Sequence, residues 1–236
     1  MKNDFAATAS TYFGNMVETY DSLIRRAVPR YEEMSERLID YLPNTPKTIL
    51  ELGCGTGNLS LKLSDKFPDS TLTLVDASTE MIEITKARLT ETFPEHAQRA
   101  NYILAKFEDL NLEANNFDLV TSCISLHHVK DKQAVYKKVY NALRPNGTFR
   151  FADQMHGSND WNHKKNWQRW LEFCRERDNC NEEEIQSLLD HAEQHDFYTP
   201  LAEHFRMLAA VRFKDLDCVW RNWIWGIVTA DVGKRS

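Results

Sequence analysis

The sequence predicts a single α/β domain: a mostly parallel sheet with helices packed on it and a helical cap. Three observations carry this reading. Short apolar strands alternate with helical patterns between Thr48 and Asp153, which is how right-handed βαβ units read. A glycine cluster, Gly53, Gly55 and Gly57, links the first of these strands to the first of these helices. Near the end, two apolar runs separated only by Arg221-Asn222 read as an antiparallel hairpin.

Taken in order, residues 1–43 are helical in pattern and partly polar. Met34, Leu38, Ile39 and Leu42 form one apolar stripe there, and Pro43 and Pro46 end it. Thr48–Leu52 is a short apolar strand, and Leu59, Leu61 and Leu63 lie on a helix running to about Phe67. Thr71–Val75 is the next strand and Thr79–Leu89 the next helix. Asn101–Ala105 and Phe117–Ile124 are strands, and Ala134–Leu143 is a helix closed by Pro145-Asn146-Gly147. Thr148–Ala152 is the strand after it. Residues 154–200 are polar, helical and rich in Trp, His and charge, and strand signals return at Phe213–Trp220 and Trp223–Ala230. This divides the chain into an N-terminal helical lid (1–46), a cofactor-binding core (47–153), a helical cap insertion (154–212) and a terminal hairpin completing the sheet (213–236).

Composition narrows the partners. Of 236 residues, 42% are apolar and 27% charged, as in ordinary globular proteins. Lys and Arg number 29 against 35 Asp and Glu, a net charge of −6, which excludes attachment to nucleic acid or anionic membrane by bulk charge. No run approaches the roughly 18 apolar residues of a membrane span, and Met1–Ala7 lacks the apolar stretch of a signal peptide. The five cysteines are odd in number and form no CxxC pair, so reduced thiols and a cytoplasmic location are expected. The expected partner is a small-molecule acceptor, with no nucleic acid and no membrane; a homodimer is left open.

Glycines between a strand and a helix let the backbone turn sharply and let a ligand lie against main-chain N–H groups. Their spacing separates ligand classes. A dinucleotide fold wants a third glycine where Asn58 stands, and no Lys-Ser/Thr follows as a phosphate-binding loop requires. Asp76, ending the next strand, is placed to accept hydrogen bonds from both hydroxyls of a ribose. Met81, on the first turn of the following helix, offers a thioether to an adenine face.

Glu51-x-Gly-x-Gly-x-Gly57, Val75-Asp76, Phe117-Asp118-Leu-Val120, Leu126-His-His-Val129 and Leu143-Arg-Pro-Asn-Gly147 occur in this order. Together they resemble the class I S-adenosylmethionine-dependent methyltransferases. The resemblance covers roughly residues 10–153, with the hairpin similar to that family's terminal strands. It implies a Rossmann-like three-layer sandwich on a seven-stranded sheet whose last strand is antiparallel. It also implies S-adenosyl-L-methionine lying across the ends of the first strands. Gly53, Cys54, Gly55, Gly57, Asp76, Ala77 and Met81 would hold it, Glu51 would stand near its ammonium, and Cys123 would meet its methionine end. The acid that the family places at the adenine falls on Lys106, which cannot accept a hydrogen bond. Adenine contacts are therefore expected from Lys106-Phe107-Glu108, either by Glu108 or Asp109 turning in or by the Phe107 backbone. The stretch Arg26-x-Val-Pro-x-Tyr31 is further similar to carboxy-S-adenosylmethionine synthases of tRNA wobble-uridine modification, where the matching tyrosine reaches the cofactor. Tyr20 and Arg26 would then form part of a lid. The arginine that this subgroup carries before the hairpin falls on Met207 here.

Methyl transfer needs alignment and a dry site, and needs a base only where the acceptor must lose a proton. Candidates are His127, Asp153 and Tyr20, with His156 beyond the strand. Adjacent helical residues point about 100° apart, so one of His127 and His128 is expected to face the pocket, and His127 is chosen. No carboxylate or third histidine has metal-ligand spacing beside them, so no metal is expected. The six tryptophans all lie beyond residue 160. Trp167 and Trp170 recur on one helix face, as core or as a wall for a flat or cationic acceptor. Charges around them balance, unlike a nucleic-acid groove. The leading expectation is methylation of a small organic acceptor. The alternatives are a tRNA wobble-modification enzyme or a silent cofactor-binding subunit.

Overall fold

The computed structural model describes residues 17–176 and 179–233. Expectations for the chain before Val17, and the charges of Arg177 and Asp178, lie outside them. Helices α1 (Val17–Ala27) and α2 (Tyr31–Asp40) precede β1 (Thr48–Leu52). Then follow α3 (Asn58–Lys66), β2 (Thr71–Asp76), α4 (Thr79–Thr92), α5 (Pro94–Arg99), β3 (Asn101–Leu104) and β4 (Phe117–Cys123). The second half runs α6 (Lys132–Ala142), β5 (Leu143–His156), α7 (Asp160–Cys174), α8 (Glu182–His195), β6 (Thr199–Pro200), α9 (Leu201–Ala210), β7 (Lys214–Asn222) and β8 (Trp225–Asp231).

The strands order as β3-β2-β1-β4-β5-β8-β7. β1, β2, β3, β4 and β5 pair in parallel, and β8 runs antiparallel to both β5 and β7. Alternation along the strands builds the three layers. Ile49, Leu119, Ala152 and Ile227 face a core shared with Met34, Leu38, Leu63 and Trp170. Leu50, Val120, Phe149, Phe151 and Val228 face the opposite core with Tyr136, Val139 and Leu208. Within the stretch 154–212, α7 thus covers the first face and α9 the second. Side-chain caps fix the helix starts: Ser78 accepts from Met81 N, Asp131 from Ala134 N and Asn159 from Asn162 N, while Asn181 and Glu184 form a capping box on α8.

Two details correct the expected architecture. The seven strands of the main path are those expected, and an eighth is added off it, because β5 runs on to His156 and offers Met155 and His156 to the two-residue β6. The hairpin turns at Trp223-Ile224, not Arg221-Asn222, since Asn222 pairs with Trp225. Trp223 takes the left-handed φ of 53° that this tight turn demands, a conformation an aromatic residue does not advertise.

The strand order reverses beside β1, with β2 on one side and β4 on the other. At such a switch point a crevice opens outside the carboxyl ends of the strands.

Candidate functional site

A cavity of about 740 Å³ fills the crevice. Its floor is the loop after β1. Gly53, Gly55 and Gly57 have φ of 75°, 53° and 88°, all in the region open to glycine. Their reasons differ. A Cβ on Gly53 would stand 2.3 Å from Ser125 Oγ, whereas one on Gly55 would meet nothing within 4 Å. Gly53 keeps the loop against the β4 end, and Gly55 faces the open cavity. Gly53 N and Cys54 N donate to Val75 O at 2.8 and 3.0 Å, and Gly55 N donates to Asp76 Oδ2 at 2.9 Å. Ser78 N reaches Asp76 Oδ1 at 2.9 Å. Asp76 therefore organises the loop with its first lone pairs and still borders the cavity. Burial raises its pKa against the pull of these N–H groups.

Glu51, on β1, is 1% exposed and lies on the cavity wall, with Ser60 Oγ donating to it at 2.6 Å. Burial, opposed by that hydrogen bond and reinforced by Asp76, pushes its carboxyl up to about 8. Such a group favours a cationic neighbour. The Cys123 thiol is pushed up to about 12 by burial and by the Asp153 and Glu51 carboxylates, so it stays neutral.

Most expected cofactor residues meet here. Tyr31, Glu51, Gly53, Cys54, Gly55, Asp76, Ala77, Met81, Lys106, Phe107, Glu108 and Cys123 all border the cavity. Gly57 stands behind it, against Thr85. Lys106, Phe107, Glu108 and Asp109 line it together, on a turn that Lys138 Nζ holds through the carbonyls of Glu108 and Leu110. α1 is tied over the loop by Asp21, which accepts from Thr56 Oγ1 at 2.5 Å, Asn58 Nδ2 at 2.8 Å and an Arg88 guanidinium N at 2.9 Å.

The acceptor candidates separate. Tyr20 borders both the large cavity and a smaller one of about 70 Å³ behind it. On the 3-10 turn Leu126–His128 it is His128, not the expected His127, that borders the large cavity. His127 borders the smaller one and lies 5% exposed, its Nδ1 2.5 Å from Asp153 Oδ1. Burial opposes its charge, but Asp153 and Asp196 outweigh that and raise its pKa. Trp170 lines the smaller cavity and donates to Ala27 O at 2.8 Å, with Trp167 packed on it at 4.7 Å between ring centres. Arg26 pairs with Glu184 at 2.7 Å, joining α1 to α8. His156 stacks on His163 at 3.7 Å and borders neither cavity.

Asp196, Tyr198 and His191 escaped the sequence reading. Asp196 Oδ1 lies 3.0 Å from His128 Nδ1 and 3.8 Å from His127 Nε2, and Tyr198 donates to its other oxygen. This corrects the expectation that no carboxylate or third histidine joins His127 and His128. The spacing of His191 and His195, one turn apart on α8, was the available signal.

Residues 49–147 match a family described as a methyltransferase domain. The malonyl-[acyl-carrier protein] O-methyltransferase of Priestia megaterium is 32% identical over 140 residues, 59% of this chain and 48% of that one. The ubiquinone/menaquinone biosynthesis C-methyltransferase UbiE of Geotalea daltonii is 30% identical over 118 residues, 50% and 48% of the two chains. This chain thus spans about half the length of these relatives. In a complex between the Haloferax volcanii Trm112 methyltransferase activator and a methyltransferase, the matching fold has a TM-score of 0.66 at 16% identity, over 99% of both chains. A Haemonchus contortus phosphoethanolamine N-methyltransferase bound to S-adenosylhomocysteine gives 0.64 at 15% identity, over 86% of this chain and 53% of that one. Strand order and glycine loop thus accompany a stretch, residues 49–147, that is similar to a methyltransferase domain.

Proposed function

We propose that this chain is an enzyme that binds S-adenosyl-L-methionine in the large cavity and methylates a small organic acceptor. One observation carries the reading: a single cavity joins the glycine loop, Glu51 and Asp76 at one end to Tyr20 and His128 at the other. Open space at Gly55 and two buried carboxylates on the wall suit a cofactor with a ribose and a cationic amino-acid end. When bound, it supplies a methyl group already activated on a sulfonium.

The chain's own task is then orientation and exclusion of water. Asp76 has lone pairs left for ribose hydroxyls, Glu51 suits an ammonium, and the backbone at Gly55 permits close approach. α1, latched by Asp21, covers the loop. The acceptor would sit against Tyr20 and His128. A hydroxyl or ammonium acceptor must shed a proton, and the His127–Asp153 pair stands one layer behind to take it. Arg26 supports the lid through Glu184 rather than touching substrate, and Trp167 and Trp170 support the smaller cavity's wall.

The free state of Cys54, Cys123, Cys174, Cys180 and Cys218 supports a reducing, cytoplasmic setting. Among the described residues no helix is long and apolar enough to cross a membrane. The tRNA-modification alternative is not favoured: the named relatives act on a malonyl carrier and in quinone biosynthesis. Calorimetric titration of the full chain with S-adenosylmethionine, followed by an acceptor panel, tests the proposal. One-to-one binding with methyl transfer is expected, and absence of binding would sink it. Binding with no turnover on any acceptor would favour the silent subunit.

A further inference from the structure

We propose that His127, His128 and Asp196, with His191 beside them, form a binding site for one divalent metal ion of the zinc type, in the wall between the two cavities. Three imidazole nitrogens converge on one carboxylate oxygen. Asp196 Oδ1 lies 3.0 Å from His128 Nδ1, 3.8 Å from His127 Nε2 and 3.7 Å from His191 Nε2. Only the shortest of these is a hydrogen bond; the other two are too long for one. They are instead the spacing of ligands around an ion. Zinc bonds of about 2.0–2.2 Å put tetrahedral neighbours about 3.3 Å apart, within the observed spread. His127, His128 and Asp196 each offer an atom within 4.8 Å of the others.

The surroundings are those of a metal centre too. His127 presents its other nitrogen to Asp153 Oδ1 at 2.5 Å, the carboxylate–histidine arrangement that orients a ligating imidazole. Tyr198 donates to the second Asp196 oxygen, so Oδ1 is the one turned to the histidines. The facing charges are Asp153, Asp196 and the buried Lys132, whose ammonium is engaged by the carbonyls of Val129 and Phe197.

The site goes beyond the methyltransferase reading and does not depend on it. Because His128 borders the large cavity and the other members the smaller one, the ion would be reachable from the acceptor end. It would hold an acceptor through an oxygen, a hydroxyl or a carboxylate, and lower that oxygen's pKa. The His127–Asp153 pair would then orient a ligand instead of taking the proton.

The test uses the full chain, stripped by chelator and titrated with Zn²⁺ alone by calorimetry, without cofactor. One ion per chain is expected. Asp153→Asn leaves all ligands in place and should weaken binding about 10–100-fold. His128→Ala removes a ligand at a half-buried position the fold tolerates, and should weaken it further. His156→Ala, outside the group, should not change it. Co²⁺ bound to the wild-type chain should show the strong visible absorption of a tetrahedral ion, lost in His128→Ala. Failure of the wild-type chain to bind Zn²⁺ stoichiometrically, or equal binding by His128→Ala, would overturn the proposal. So would equal losses in His128→Ala and His156→Ala. None of these results bears on cofactor binding, so the two readings fail separately.

Discussion

Glu51 gives the sharpest quantitative handle on the cavity. Its carboxyl is pushed up to about 8 by burial, with Asp76 adding to the shift and Ser60 opposing it. At pH 7 a group with that pKa is roughly nine-tenths protonated. A bound ammonium stabilises the carboxylate instead, so binding S-adenosylmethionine should expel that proton. The ligand's α-amino group has a pKa of about 7.7–8.0 and takes up roughly a tenth of a proton in return. Net release should therefore be about 0.8 proton per ligand at pH 7. The assay is calorimetry in buffers of different ionisation enthalpy, where the slope of apparent heat against buffer enthalpy counts protons. Glu51→Gln should bring the count to zero or slightly negative. The same elevated pKa fixes a stability sign. A carboxyl raised in the folded state stabilises the fold when protonated, fully so below the unfolded value near 4.3, and that contribution fades as pH rises toward 8. Glu51→Gln should flatten this part of the stability–pH curve. If the wild-type chain releases no proton, or the variant releases as many, the assignment of Glu51 to the cationic end is wrong.

Other substitutions separate structure from binding. Gly53→Ala places a Cβ 2.3 Å from Ser125 Oγ at a positive φ and should cost about 2–4 kcal/mol in denaturant unfolding. Gly55→Ala, with open space around it, should cost only the 1–2 kcal/mol of a left-handed residue, about half as much, while weakening cofactor binding. Asp21→Ala releases α1 from Thr56, Asn58 and Arg88; cofactor affinity should fall about tenfold or more, with faster proteolysis of α1 in the free protein. Tyr136→Phe strips the partner 2.6 Å from buried His204 Nδ1 and should lose about 1–3 kcal/mol of stability with KM for the cofactor unchanged.

What the sequence made legible was local. The glycine loop and Asp76 sit within a few residues of a strand end, so their chemistry shows in the order of letters, and the structure brings them to one cavity. Strand alternation likewise exposed the parallel core, because each βαβ unit is contiguous. What stayed hidden was assembled at long range or by exception. Asp196 looks like one more acid in a charged cap, and its meaning comes from His127 and His128, carried on a different element. β6 is two residues long and ends in proline, a strand only because β5 overruns its expected end. The hairpin turn carries Trp223 at φ 53°, where a glycine or asparagine would have announced it. The late tryptophans do sort as a separate region, but Trp170 serves packing through Ala27 and Trp161 is 69% exposed. The aromatic half is thus a support for the acceptor end more than its lining.

A crystal structure of the full chain grown with S-adenosylhomocysteine tests the central claim most directly. The ribose hydroxyls are expected on Asp76, the amino group toward Glu51 and the sulfur facing the end bordered by Tyr20 and His128. Ligand density elsewhere, or a ribose away from Asp76 at saturating ligand, would contradict it.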